Sequence, residues 1–228
     1  MSSSVSASAG TKVLARVRLA TVSDIPQIYR MIHQMAEFER LTDHFSATES
    51  LLSSTLFPTA PNHSPPPFYS FTVFIVDLNR NLVRDVSDDT NLNPHFTPML
   101  REVDLVEGEG SVEGERLFFE KEKNGWEVAG FVLFFPNYST FLSKPGFYVE
   151  DLFVRKEFRR QGLGTMLLST VAKKATEMGM GRVEWCVIDW NVNAIDFYQE
   201  KMGAKVLPEW KICRLTDDAL QAYAHKED

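Results

Sequence analysis

The residues best suited to chemistry lie in one run, Glu150-Asp151-Leu152-Phe153-Val154, followed by a basic turn and then Arg159-Arg160-Gln161-Gly162-Leu163-Gly164-Thr165. Glu150 suits binding of a cation or removal of a proton. The glycines open a helix whose first amides lack intrahelical partners and whose dipole is positive at that end, an arrangement that attracts phosphate. Glycine lets the backbone approach such an anion closely, and Arg159 and Arg160 add charge beside it. A dinucleotide fold would require a third glycine and an acid on the next strand, and a nucleotide-triphosphate loop would require Gly-Lys-Ser/Thr. Neither occurs. The plainer alternative is a tight strand-to-helix connection with solvated arginines.

Strands and helices must hold this run in place. Val13 to Leu19 reads as a first strand. Ser23 and Asp24 offer N-caps, Pro26 suits a first helical turn, and Ile25, Ile28, Ile32, Met35 and Ala36 keep helical spacing to an end near Glu39 and Arg40. A second helix runs from about Ala47 to Leu56, and prolines from Pro58 to Pro67 stop it. Phe68 to Leu78 and Gly125 to Phe135 read as strands. Between them, 79–124 reads as an acidic insertion. Residues 77–123 carry 12 acidic and 6 basic side chains, nearly all of the chain's excess of negative charge. Its apolar residues Met99, Leu100, Val103, Leu105 and Leu117 to Phe119 are expected to extend the hairpin. A turn-rich loop, Pro136 to Gly146, precedes a strand at Phe147 to Val154. Leu163, Leu167, Val171 and Ala175 mark the next helix, closed by Gly179 and Gly181. Strand Val183 to Ile188, helix Asn193 to Lys201, strand Lys211 to Leu215 and a helix capped by Thr216 complete a β-α-α-β-β-β-α-β-α-β order. This order predicts a mixed α/β sheet.

Composition narrows the function. The chain has 228 residues, 44% hydrophobic, with a formal net charge of -7. It can build a core, and its acidity disfavours nucleic acid and favours cationic partners. Residues 1–12 read as a disordered N-terminus ahead of a single domain over 13–228. No apolar run suits a secretory signal or a membrane span, so a cytoplasmic, membrane-free protein is expected. Cys186 and Cys213 read as small apolar residues on strands, without metal or redox spacing. The five histidines share no ligand spacing either, so no metal is expected.

The turn is similar to the Q/R-x-x-G-x-G/A motif of GNAT acetyltransferases, in which loop amides hold the pyrophosphate of coenzyme A. Downstream, Trp190-Asn191-Val192-Asn193-Ala194-Ile195-Asp196-Phe197-Tyr198 resembles the family's W-N-x-x-x-x-x-F-Y element. The resemblance implies the GNAT fold, a mixed, mostly antiparallel sheet flanked by helices, with acetyl-CoA as cosubstrate. It places pantetheine along Leu152, Phe153 and Val154, and the diphosphate at the turn from Arg159 to Thr165. Asn191, Asn193 and Ala194 would frame the cofactor. Within the superfamily the chain resembles the spermidine/spermine (diamine) acetyltransferase group, including plant relatives that act on ornithine or short diamines. That likeness implies that Phe38 and Glu39, in Ala36-Glu37-Phe38-Glu39, and Glu209, before Trp210, contact a small cationic amine. It also implies a homodimer.

An amine attacks a thioester only when deprotonated, and a free alkylamine titrates near 10.4. On this reading Glu150 binds the ammonium and removes its proton through a water, and Tyr198 protonates the departing sulfur. The loop Asn137-Tyr138-Ser139-Thr140-Phe141 lacks the acid that polyamine enzymes carry there. This departure favours a shorter diamine or an amino acid whose carboxylate tolerates a neutral loop near Lys144. Two alternatives stand beside it: acetylation of a protein lysine or N-terminus, and a non-catalytic acyl-CoA-binding module.

Overall fold

A computed structural model describes residues 11–58, 65–80, 93–105 and 125–224. The chain divides into two compact units, residues 1–186 and 187–228.

The first unit is built on a six-stranded sheet in the order β3-β1-β2-β4-β5-β6. Its strands are β1 Thr11–Leu19, β2 Thr72–Asn79, β3 Met99–Leu105, β4 Trp126–Ser139, β5 Lys144–Val154 and β6 Val183–Trp185. All neighbours are antiparallel except β5 and β6. Helices α1 Ile25–Glu39 and α2 Glu49–Leu56 follow β1, and α3 Leu163–Glu177 follows β5. Alternation along the strands separates two faces. Val73, Ile75, Phe131 and Phe153 pack with Ile28 and Met31 of α1. The opposite face carries Phe74, Phe134 and Phe147; Phe68 stacks on Phe134 and meets Phe74 at a tilt, and Phe147 stands edge-on to Phe134. The Lys174 ammonium of α3 lies 4.6 Å from the Phe68 ring.

The start of α1 follows from its sequence. Thr21 and Asp24 form a capping box, with Pro26 in the first turn. Arg40 closes the helix in the left-handed region at φ 60°, where its N–H reaches the carbonyls of Ala36 and Glu37. Asp24 also ties this corner to the sheet. Arg18 donates to both of its oxygens at 2.8 Å and, through Nε, to Asp77 at 2.9 Å. Arg16 grips Asp77 bidentately, at 2.9 and 2.7 Å. Burial alone would raise the Asp24 carboxyl, but the Arg18 guanidinium holds it below its ordinary value.

Several expectations change. The apolar residues 99–105 do not extend the β2–β4 hairpin. They form β3, which pairs with β1 on the far side of the sheet, because β2 and β4 already occupy each other's edges. Leu117 to Phe119, residues 1–10 and most of the insertion lie outside the described residues, and β1 begins at Thr11 rather than after residue 12. Phe68 stands in a turn at φ 76° and donates its N–H to Thr72, so β2 begins at Thr72. The expected loop 136–146 is mostly strand, narrowed to a turn at 140–143, because the β4–β5 ladder runs on to Ser139↔Lys144. Strand β6 stops at Trp185. Lys211 to Leu215 is irregular and exposed: alternation supplies a face but not the ladder partner a strand needs. Cys186 and Cys213 are therefore free, exposed and off the strands.

In the second unit, the expected helix 193–201 is a short α4, Val192–Asp196, continued by a π turn, Phe197–Lys201. A last helix α5, Asp217–Gln221, follows the N-cap Thr216.

Candidate acetyl-transfer site

Strand β5 carries the carboxylates at a point where both of its edges change. Towards β4, Asp151 pairs with Leu133 and Val149 with Phe134, so Glu150 is the extra residue of a β-bulge. Towards β6, parallel pairing ends at Val149↔Trp185. From Glu150 onward that edge lies beyond the reach of β6.

Backbone direction follows from one bond. Arg155 N–H reaches the Ala129 carbonyl of β4 at 2.9 Å. Alternation then turns the peptide groups of Leu152 and Val154 the other way, along the edge β6 has left. An extended amide chain can add to such an edge. Arg155 itself is buried. It donates to the Val128 carbonyl at 2.8 Å and to Gln27 of α1 at 2.7 Å, and burial lowers its pKa to about 10. It locks the end of β5 to β4 and α1.

The turn after β5 fits a diphosphate. Arg160 at φ 63° and Gly162 at φ 81° are left-handed, and the first bond of α3 runs from Met166 N–H to the Gly162 carbonyl at 2.9 Å. The amides of Leu163, Gly164 and Thr165 therefore lie in the unsatisfied first turn, aimed along the positive end of the helix. A Cβ on Gly162 would meet nothing within 4 Å, so glycine is required there by conformation, and the space in front of the turn is open. Arg160 is exposed at this turn and Gln161 is half-buried. Arg159 is placed differently: its guanidinium turns back to donate to the Val154 carbonyl at 2.7 Å. It lies 4.8 Å from the Phe38 ring and 5.2 Å from the Phe153 ring.

Glu39, at the end of α1, acts through its charge on Asp151 of β5. Burial is the main cause of a rise in the Asp151 pKa to about 7, and the charges of Glu150 and Glu39 add to it. Burial also raises the Glu39 carboxyl. Glu150 is exposed at the bulge. Sequence reasoning gave Asp151 no role. The only signal in the sequence was its place next to Glu150, and its proton affinity depends on a helix end far away in the chain. On the same sheet face, Tyr148 meets Phe135 at a tilt and Phe71 meets Phe135 edge-on, each at 5.5 Å. The Tyr148 hydroxyl donates to Cys186 Sγ at 3.1 Å. Burial first, then Cys186, Glu150 and Glu184, push that phenol well above its ordinary value.

Asn191, Asn193, Ala194, Tyr198 and Glu209 belong to the second unit. Asn191 caps α4, its side chain accepting from Ala194 N–H at 3.3 Å. Tyr198 sits in the π turn, 5.2 Å from the Phe197 ring, and its carbonyl accepts from Ala204 N–H at 2.9 Å. Such turns recur at functional sites. Glu209 is exposed on the irregular stretch. Among the described residues no three side chains gather to hold a metal ion, and no helix is long and apolar enough to cross a membrane.

Comparison with known proteins agrees with this geometry. The model of the Acetyltransferase (GNAT) family matches residues 81–204. An L-ornithine N5-acetyltransferase of Arabidopsis thaliana is 51% identical over 215 residues, covering 93% of this chain and 89% of its own. A tyramine N-feruloyltransferase of Nicotiana tabacum is 36% identical over 219 residues, covering 95% and 93%. Among solved structures, an integron cassette protein from the V. cholerae mobile metagenome shares the fold at TM-score 0.57, with 17% identity and 93% of this chain covered. The family model over more than half of the chain and the half-identical relative establish that the chain belongs to the GNAT acetyltransferase family.

Proposed function

We propose that the chain transfers the acetyl group of acetyl-CoA to the primary amine of a short diamino acid or diamine, with the side-chain amine of ornithine as the principal acceptor. The observation that carries this reading is Asp151, a carboxyl pushed up by burial and by the charges of Glu150 and Glu39, on the part of β5 whose edge β6 leaves open. Acids there favour a cation, and the strand edge favours the amide arm of coenzyme A. The half-identical ornithine acetyltransferase supports the choice of acceptor. So does the hairpin tip, residues 137–144, which carries Lys144 and no acid.

In this scheme coenzyme A lays its diphosphate on the amides of Leu163, Gly164 and Thr165, near Arg160. Its pantetheine pairs with Leu152 and Val154. Glu39 and Asp151 hold the incoming ammonium, and Glu209 adds a further acid. Glu150, exposed at the bulge, takes the proton through a water, and Asp151, titrating near neutrality, shares it. The free amine attacks the thioester carbonyl carbon. The N–C bond forms, the C–S bond breaks, Tyr198 gives its proton to the sulfur, and the second proton that the nitrogen sheds restores the phenol. Overall, coenzyme A leaves as the thiol and one proton goes to solvent. The same reading takes the enzyme to be a cytoplasmic homodimer.

A thiol-release assay with acetyl-CoA against ornithine, diaminopropane, putrescine, spermidine, tyramine and a lysine peptide tests this. Ornithine or a short diamine is expected to give the highest kcat/KM. Preference for the peptide, or tight binding of acetyl-CoA with no turnover of any amine, overturns it.

A further inference from the structure

Two arginines stand side by side at the turn, and the structure treats them differently. Arg160 is exposed in a left-handed conformation at the mouth of the glycine turn. Arg159 is half-buried and faces the other way. Its Nε donates to the last carbonyl of β5, and its guanidinium plane stands over the rings of Phe38 and Phe153. Phe38 is the penultimate residue of α1, next to Glu39. Phe153 and Val154 end β5, just past Asp151.

We infer that Arg159 is a positioning residue for the amine acceptor, clamping the end of α1 onto the end of β5 so that Glu39 stays opposed to Asp151, and is not a ligand of the coenzyme A diphosphate. A planar guanidinium can donate in its plane to a carbonyl while its faces meet aromatic rings. An ammonium cannot do both at once. The carbonyl and the Phe153 ring belong to β5 and the Phe38 ring to α1, so one side chain sets the spacing between the two elements. Burial also lowers the Arg159 pKa, as expected of a cation set against rings and drawn away from water. The inference rests on the proposed amine site, because Glu39 matters to catalysis only if it meets the acceptor.

The test compares Arg159→Lys and Phe38→Leu with the unaltered enzyme. Three quantities are measured: the KM for ornithine, the dissociation constant of coenzyme A, and hydrogen exchange at the amides of Arg40 and Leu41. Those amides close α1 onto Glu37 and Ala36 at 3.2 and 2.8 Å. Arg159→Lys keeps the charge and loses the plane. The KM for ornithine is expected to rise about tenfold, with coenzyme A affinity within roughly twofold of the parent. Exchange at Arg40 and Leu41 should quicken while that at Met166 in α3 stays the same. Phe38→Leu should raise the same KM. A coenzyme A affinity weakened about tenfold with the ornithine KM unmoved makes Arg159 a diphosphate ligand and overturns the inference. So does a lowered melting temperature with both constants and the exchange unchanged, which would make its role stability alone. If the unaltered enzyme acetylates none of the amines, the proposed function has failed, and the exchange and coenzyme A measurements still decide the clamp.

Discussion

Glu39, at the end of α1, adds its negative charge to Asp151 on β5, a carboxyl that burial and Glu150 already push up to about 7. A residue on the first helix thereby tunes a strand residue nearly half the chain away.

The first consequence is a pH profile. If the cluster must hold a negative charge to accept the ammonium and its proton, kcat/KM for ornithine should climb with pH through an acid limb near 7. Glu39→Gln removes one negative neighbour, so the limb should move to lower pH, and the amine KM should rise about tenfold or more. A limb that stays in place separates Glu39 from Asp151.

Stability should follow the same carboxyl with a definite sign. Asp151 is raised in the folded chain, so between about 4 and 7 the folded state keeps a proton that the unfolded state has lost. Its destabilising effect is absent below the unfolded value, grows across that window and is complete above 7. Asp151→Asn should therefore raise the melting temperature at pH 8, by about 2–4 °C for each kcal/mol relieved, and leave it unchanged below about pH 4. Thermal scans at several pH values check this, and a gain independent of pH contradicts it.

Tyr198→Phe keeps the ring and removes the proton. Turnover should fall by about 10²–10⁴-fold while the ornithine KM moves little. Steady-state kinetics with the pure variant decide it. Undiminished turnover removes Tyr198 from the acid role.

Gly162→Ala puts a Cβ on a residue at φ 81°, where it meets no neighbour. Strain without a clash should cost about 1–2 kcal/mol of stability. A methyl group in front of the turn should also hold back the diphosphate, raising the acetyl-CoA KM with the ornithine KM unmoved. Denaturant unfolding and kinetics read the two effects separately.

Asp77 is fully buried between Arg16 and Arg18. Asp77→Asn leaves two guanidinium groups without that charge, which should destabilise the unit by about 3–5 kcal/mol. The midpoint of urea unfolding measures it, and a shift below about 1 kcal/mol contradicts a central role for this pair.

The sequence alone determined the local features of the protein. The helix with Pro26 in its first turn and an end near Arg40 could be read directly, because caps and 3.6-residue spacing are short-range. So could the glycine turn and the strand before it, and the family motif pointed to coenzyme A. The tertiary structure decided what depends on partners distant in the chain. Residues 99–105 joined β1 because only the ladder shows which edge is open, and residues 211–215 made no strand because alternation supplies no neighbour. Strand spacing gave Arg16 no partner, yet register places Asp77 opposite Arg16 and buries the two together. Asp151 acquired its proton affinity, and Arg159 its place over Phe38, from the meeting of a helix end and a strand end. Electrostatics and stacking act through space, and spacing along the chain does not encode them.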